Sequence, residues 1–147
     1  MTSDSGEPDR TARGLSLMEG MLGPEVVQRL TTRNQLVPDW HRWTTDVLFG
    51  DVWQSPRLEL RLRSMVTVAA LIPMSCPREL SFHMRGALHN GVGVEELAAI
   101  IEQVGFYAGW PAAGQALNIL NEMVTESSEP ARIEAVAASN DQSPSPT

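Results

Sequence analysis

Residues 58–72, "LELRLRSMVTVAALI", decide the fold class of this protein. The segment begins as an amphipathic run, in which Arg61 and Arg63 alternate with leucines, and becomes apolar on nearly every side after Ser64. A helix that is apolar around most of its circumference usually lies at the buried centre of a bundle. The segment therefore predicts an all-α domain in which the helix over 58–72 is the central, buried element.

The segments on both sides of this run have helical patterns of their own. Pro24 stands at a suitable first helical position, Gly50 ends the pattern before the central helix, and Gly91 can adopt the left-handed conformation that ends a helix. No useful β-strand alternation interrupts them. The predicted helices cover residues 23–34, 38–50, 58–72, 78–91, 93–109 and 111–125. The sequence thus predicts an all-α bundle of about six helices.

Both ends of the chain differ in composition from this middle part. Residues 1–14 are polar, and residues 126–147 are rich in Ser, Ala, Glu and Pro with few large apolar side chains. Such segments bury too little apolar surface to offset the entropy lost on folding. We therefore expect a disordered N-terminal tail over 1–14, a helical domain over 15–125, and a flexible C-terminal tail over 126–147, in which 131–139 could form a short helix.

Composition excludes several classes of function. The formal net charge is -7, and no basic patch is present to replace the counterions of nucleic acid. Cys76 is the only cysteine, so an internal disulfide or a multi-cysteine zinc site is excluded and a reducing cytoplasm fits. No apolar run reaches the roughly 20 residues of a membrane helix, and "MTSDSGEPDR" lacks the features of a signal peptide. We expect a soluble cytoplasmic protein that binds no metal, nucleic acid or membrane.

The helix over 78–91 carries the candidate catalytic pair, Glu79 and His83. At about 100° per residue, the face that should pack into the core consists of Leu80, Met84, Ala87 and Leu88. Glu79, His83 and Gly86 share the stripe at the edge of that face, and Gly86 leaves room for a ligand or another helix. A carboxylate one turn before an imidazole can hydrogen-bond it and raise its pKa, which would give a proton donor near neutral pH. Solvated surface pairs have the same spacing, so spacing alone leaves both interpretations open.

Three segments, 22–30, 49–72 and 79–113, resemble the carboxymuconolactone decarboxylase family of the alkylhydroperoxidase D-like superfamily. The most specific pieces are "RGALHNGV" and "YAGWPAA", and the resemblance runs from about Leu22 to Val124. It implies an all-α bundle that assembles as homo-trimers or hexamers, with active sites near the subunit contacts. His83 matches the histidine of the family motif H-x-R-x-A-L-x-N-G, for which the resemblance implies proton transfer, and Glu79 matches the glutamate one turn before it.

A related branch of the superfamily reduces peroxides with a Cys-x-x-Cys pair. In this chain the two positions are Cys76 and Glu79, so no redox disulfide can form within the motif. The resemblance therefore implies an enzyme that is not a peroxidase.

The resemblance also implies chemistry without a cofactor. When the family's namesake lactone loses CO₂, the electron pair flows into the conjugated ring and forms a dienolate, so the substrate is its own electron sink. The protein has to stabilise the oxyanion and deliver a proton to carbon. We expect His83, oriented by Glu79, to donate that proton, and Arg63 or Arg61 to bind the substrate carboxylate. For either arginine the alternative is a salt bridge to Glu59 or to a neighbouring subunit.

Four further residues are candidates for binding the substrate. His89 stands where the family often has asparagine, and Trp110 replaces a smaller residue in "YAGWPAAG". Trp53 and Tyr107 complete the set, although aromatic residues at helical spacing more often belong to a core.

Three functions remain open. The preferred one is a cofactor-free carboxy-lyase that acts on a small lactone or oxo-acid. The second is an isomerase or cyclase of bacterial secondary metabolism, which would use the same pair on a larger apolar metabolite without releasing CO₂. The third is a non-catalytic, oligomeric protein that binds a small molecule.

Overall fold

The computed structural model describes the backbone of residues 9–140 and the side chains of residues 9–127. This part of the chain is helical and has no β-strand, which confirms the predicted all-α fold. None of its helices is both long and apolar enough to cross a membrane. The elements are α1 (Arg10–Leu22), α2 (Pro24–Thr31), α3 (Trp40–Arg42) with a π-helical segment directly after it (Trp43–Val52), α4 (Leu60–Leu71) with a 3-10 turn (Ile72–Met74), α5 (Pro77–His89), α6 (Val94–Ala108) and α7 (Trp110–Asn140).

Helix α1 corrects the predicted start of the domain. It begins at Arg10, so residues 10–14 belong to the bundle and not to a tail. Gly14 is buried against the π-helical segment, where an added Cβ would lie 2.0 Å from the carbonyl oxygen of Thr45. The missing side chain lets the two helices touch. In the sequence, the same glycine and its polar neighbours are typical of a flexible end.

Helix α7 is also longer than the sequence predicts. Its backbone remains helical to Asn140, past the predicted boundary at residue 125. Among its described side chains, the last buried one is Met123, so the contribution of α7 to the core ends close to that boundary. The rest of the two predicted tails, residues 1–8 and 141–147, lies outside the described part of the chain.

The core consists of two apolar clusters, and α5 packs against both. Leu80, Met84 and Ala87 of α5 enter the larger cluster, which confirms the face predicted from helical periodicity. Gly86 is turned the other way, and an added Cβ there would lie 3.1 Å from Cε of Met21 in the smaller cluster. Besides the α5 residues, the larger cluster contains Val68, Ile72, Val92, Leu97, Ile101, Ala113, Ala116, Leu120 and Met123. The smaller cluster contains Met18, Met21, Val27, Phe49 and Trp53.

Helix α4 is not the buried centre that its sequence predicts. Of its residues only Ser64 and Val68 are buried, and Val66 is 60% exposed. In a single chain, α5 and α6 contact α4, and part of its surface, including Val66, remains exposed. There Met65, Val66 and Ala69 form a surface groove of about 490 Å³ together with α6.

Polar contacts join the end of α5 to α4. The Asn90 amide donates a hydrogen bond to Oγ of Ser64 at 3.0 Å, and that hydroxyl donates to the Leu60 carbonyl at 3.0 Å. Ser64 is buried, so these bonds satisfy a polar group that would otherwise be costly. Gly91 follows with φ of 87°, which confirms the predicted left-handed position at this helix end.

Gly14→Ala should destabilise the protein by about 1–3 kcal/mol, because the new methyl group collides with a backbone carbonyl that cannot rotate away. Gly114→Ala is the matched control, since Gly114 lies in α7 with no atom within 4 Å of an added Cβ. That change should raise the free energy of unfolding by about 0.5–1 kcal/mol. Urea denaturation followed by circular dichroism measures both. Equal stabilisation by the two alanines would contradict the close approach of α1.

Candidate active site

The candidate catalytic pair lies at a cavity of about 270 Å³ between α2, α5 and the segment that includes α3 and the π-helix. Glu79 and His83 both line it, from the first and second turns of α5. The apolar part of the wall consists of Leu22, Val26, Leu30, Trp40, Leu48, Phe49 and Phe82. The remaining polar groups are those of Arg29, Thr44 and Arg78. The structure thus brings Glu79 and His83 together at one concave site.

The imidazole of His83 is held by an aromatic stack. Its ring lies 5.8 Å from the ring of Trp53 at an interplanar angle of 21°, and Trp53 stacks on Phe49 at 5.6 Å and 21°. Trp53 is only 6% exposed and belongs to the smaller core cluster. Sequence analysis made Trp53 a substrate-binding candidate. In the structure it lies behind His83, outside the cavity wall, where it can position the imidazole.

Burial changes the protonation of His83. Removal of the ring from water lowers the pKa of His83 below its ordinary value of about 6.5, and the negative charge of Glu79 raises it by less. The expected rise in this pKa is therefore wrong in sign, because Trp53 buries the ring while Glu79 is exposed. Nδ1 of His83 is buried and has no hydrogen-bond partner among the described residues, so Glu79 acts on it through charge.

Arg61 and Arg63 do not reach this cavity. Arg61 donates to the Gly91 carbonyl at 3.2 Å and forms an ion pair with Glu96. Arg63 donates from Nη2 to the carbonyl oxygens of Ser55 at 3.0 Å and Leu58 at 3.2 Å. The geometry therefore does not support either one as the carboxylate-binding residue beside His83. A salt bridge was the alternative for these arginines, but Arg61 pairs with Glu96 and not with Glu59.

His89, Tyr107 and Trp110 also lie apart from His83. Tyr107 is 84% exposed and Trp110 is 64% exposed, at the junction of α6 and α7. Trp110 packs against Phe106 with ring centroids 5.3 Å apart. His89 lines a different cavity of about 420 Å³ beside α1. Within one chain, none of these three side chains lines the cavity that contains His83.

Sequence analysis missed the two cations at the cavity, Arg29 and Arg78. Both guanidinium groups lie over the ring of Phe82, with Cζ at 5.2 Å and 5.9 Å from its centroid. Helical periodicity puts Phe82 and Arg78 on the face of α5 away from the core, and Arg29 lies on a different helix. A tertiary contact, between the Arg29 side chain on α2 and Phe82 on α5, brings them together, and no local pattern carries that information.

Metal-binding side chains do not cluster in the described part of the chain. No group of three or more His, Cys, Asp or Glu residues comes together there in a way that could hold an ion. Cys76 is half-buried at the start of α5, with Sγ 3.8 Å from the Leu71 carbonyl.

The family follows from a comparison that covers most of the bundle. Residues 38–122 match the model of the carboxymuconolactone decarboxylase family. The chain belongs to the carboxymuconolactone decarboxylase family. The matched range contains Glu79, His83 and Arg78, whereas Arg29 precedes it. The cavity of this family member is therefore built from the matched region together with α2 and the last residue of α1.

Two relatives match a longer part of the chain. The 4-carboxymuconolactone decarboxylase of Acinetobacter baylyi is 32% identical over 118 residues, which cover 80% of this chain and 88% of that protein. Nitrosuccinic acid decarboxylase npaB of Metarhizium robertsii is 27% identical over 131 residues, which cover 86% of this chain and 92% of that protein. Both relatives are named as decarboxylases.

The pKa of His83 is directly measurable by NMR of its Cε1–H resonance. We expect a pKa below 6.5, and a further decrease in Glu79→Gln, because that change removes the carboxylate that favours the imidazolium. Glu122→Gln is the control, since Glu122 lies on α7 away from the cavity and should leave the titration of His83 unchanged. An identical titration curve in wild type and Glu79→Gln would show that the two groups are not coupled.

Proposed function

We propose that this protein is a cofactor-free carboxy-lyase that removes CO₂ from a small carboxylic acid, with His83 as the proton donor. The observation that carries the proposal is a half-buried imidazole, next to a carboxylate, at the wall of a cavity of about 270 Å³. That volume is just below the range of roughly 300–1,000 Å³ that is typical of ligand pockets, so it suits a small substrate. The names of both relatives support the same class of reaction.

The proposed reaction needs an electron sink that the substrate itself supplies. The bond between the carboxylate carbon and its neighbour breaks, CO₂ leaves, and the electron pair passes into an electron-withdrawing group such as a conjugated carbonyl. The imidazolium of His83 donates its proton to carbon, and the neutral ring then takes up a proton from solvent. Trp53 holds the ring in place during this step, because it covers one of the imidazole faces.

Substrate binding has to charge His83 before it can act as the donor. In the free protein the lowered pKa leaves the imidazole mostly neutral at pH 7. An anionic substrate within about 4–6 Å favours the imidazolium and raises the pKa of His83. Substrate binding is therefore coupled to proton uptake, and the negative charge of Glu79 acts in the same direction.

The pH dependence of turnover tests this coupling. Because only protonated His83 donates, kcat/KM should fall about tenfold per pH unit above the pKa of the free enzyme, which lies below 6.5. The fall in kcat should come at a higher pH, because it reports the pKa in the substrate complex. Steady-state rates between pH 5 and 8 measure both profiles. A kcat/KM that increases with pH through this range would make His83 a general base.

An assay that measures the masses of the products tests the reaction class. Carboxymuconolactone and nitrosuccinic acid are the first substrates to offer, and a product lighter by one CO₂ is expected with the wild-type protein. His83→Gln should lower kcat by about 10²–10⁴-fold, the usual contribution of a proton donor. His89→Gln, at the other cavity, should retain wild-type turnover. Unchanged turnover in His83→Gln would exclude the proposed role.

A second candidate function is favoured by the apolar walls of the same cavity. Leu22, Val26, Leu30, Leu48 and Phe49 would suit an apolar metabolite that His83 and Glu79 isomerise or cyclise. In that case the assay would give a product of unchanged mass. Ligand binding without turnover of any substrate would instead support a binding protein.

We also infer that the protein is a homo-oligomer, a trimer or hexamer as in the family it resembles. The supporting observation is the apolar groove along α4 and α6, whose lining includes Met65, Val66, Ala69, Ile100 and Val104. A contiguous exposed apolar surface of this kind is typical of a protein interface. The exposed rings of Tyr107 and Trp110 at the α6–α7 junction add further apolar surface.

Val66→Glu should reduce the amount of oligomer measured by light scattering after size-exclusion chromatography, because it puts a charge on the apolar surface that the expected contact would cover. Glu102→Gln on α6 is the control: it also changes one charge at an exposed position, but Glu102 does not line the groove. A wild-type protein that elutes and scatters as a monomer would contradict the inference.

A further inference from the structure

Trp40 lies at the open end of the cavity beside His83. Val26 and Phe49 also line this cavity and are 8% and 2% exposed, so they form its inner end. Trp40 is 55% exposed and Leu48 is 42% exposed, so these two side chains lie where the cavity meets solvent. On the side of α3 and the π-helical segment, an indole therefore borders the opening.

The backbone of Trp40 is held on both sides by hydrogen bonds. Its N–H donates to the Val37 carbonyl at 3.1 Å, and its own carbonyl accepts a hydrogen bond from Oγ1 of Thr44 at 3.0 Å. Val37 belongs to a turn in which the Asn34 side chain accepts hydrogen bonds from the N–H groups of Leu36 at 2.8 Å and Val37 at 3.0 Å. Such a turn fixes a non-helical segment by local bonds. The indole can therefore move mainly by rotation about its own side-chain bonds.

The indole of Trp40 is available to a ligand because the core does not use it. Trp40 belongs to neither core cluster, whereas Phe49 and Trp53 both pack in the smaller one. A tryptophan side chain offers more apolar contact area than most other residues, and it is rigid. At the opening of a cavity of about 270 Å³, such a side chain contacts a small ligand and also takes up the space that a larger one would need.

We propose that Trp40 sets the upper size limit of the substrate. The indole forms the outer wall of the cavity, contacts a small acid that is bound next to His83, and excludes an acid with an additional ring. A larger acid would have to displace an aromatic side chain whose backbone is held by Val37 and Thr44. A packed wall discriminates by about 10–200-fold for a change as small as one methylene group. This inference rests on the proposed carboxy-lyase function and adds the residue that decides which acids fit.

Titration of the His83 Cε1–H resonance with benzoate and with 2-naphthoate tests the size limit without turnover. The two anions have the same charge and differ by one fused ring. Benzoate should bind the wild-type protein at least about tenfold more tightly than 2-naphthoate. In Trp40→Ala, 2-naphthoate should bind at least as tightly as benzoate, because the space left by the indole accepts the second ring and buries its apolar surface. Trp40→Phe should show an intermediate preference.

Trp43→Ala is the matched control, because Trp43 is 51% exposed, lies three residues further along the chain and does not line the cavity. It removes an indole of similar exposure and should keep the wild-type preference for benzoate. Thr44→Val removes the donor to the Trp40 carbonyl at nearly constant side-chain shape, so the preference should decrease without being lost. Thermal unfolding followed by circular dichroism checks that each variant is folded.

Three results would overturn the proposal. The first is equal binding of the two anions to the wild-type protein. The second is a wild-type preference that persists in both Trp40→Ala and Trp40→Phe. The third is the absence of any shift of the His83 resonance with either anion in the wild type and in all variants.

Turnover separates this inference from the proposed function. With an acid that the enzyme decarboxylates, 2-naphthoate should inhibit Trp40→Ala at a concentration at least about tenfold lower than the wild type. If no acid is decarboxylated but the preference between the two anions depends on Trp40, the lyase proposal fails and the size limit stands. If CO₂ is released through His83 and Trp40→Ala keeps the wild-type preference, the size limit fails and the lyase proposal stands.

Discussion

The candidate site depends on the stack of His83 on Trp53 and of Trp53 on Phe49. This stack connects α5 to the π-helical segment and makes the imidazole an extension of the smaller core cluster. An apolar contact of this kind orients the imidazole without a hydrogen bond. Because the contact also removes the ring from water, it lowers the pKa of His83. The same packing that positions the group therefore favours its neutral form.

Two pairs of arginines in the bundle differ in what their guanidinium groups contact. Arg61 and Arg63 are used inside the fold, where they bind Glu96 and the carbonyl oxygens that precede α4. The guanidinium groups of Arg29 and Arg78 lie over the face of the Phe82 ring, a contact that uses none of their N–H donors. In a protein with a net charge of -7, a local excess of positive charge at one cavity is a specific feature and not a consequence of composition.

The surface of α4 links the fold to assembly. The sequence of α4 has the pattern of a buried helix. Within a single chain, other helices cover only part of its surface, and Val66 is exposed to solvent. A helix with this pattern is stable in water when another apolar surface covers it. The disagreement between the pattern and the single-chain structure is the observation on which the proposed homo-oligomer rests.

The sequence by itself determined the helices between residues 23 and 125, the core face of α5 and the membership in the family, because these depend on local periodicity and on motif spacing. Glu79 and His83 could be predicted as neighbours because they lie one turn apart on one helix. Tertiary structure alone decided the rest. Gly14 became a packing residue because α1 crosses the π-helical segment, and the pKa of His83 fell because Trp53, 30 positions earlier in the chain, covers its ring. Arg29 and Arg78 replaced Arg61 and Arg63 at the cavity because the packing of separate helices, which no local pattern encodes, determines which charges converge.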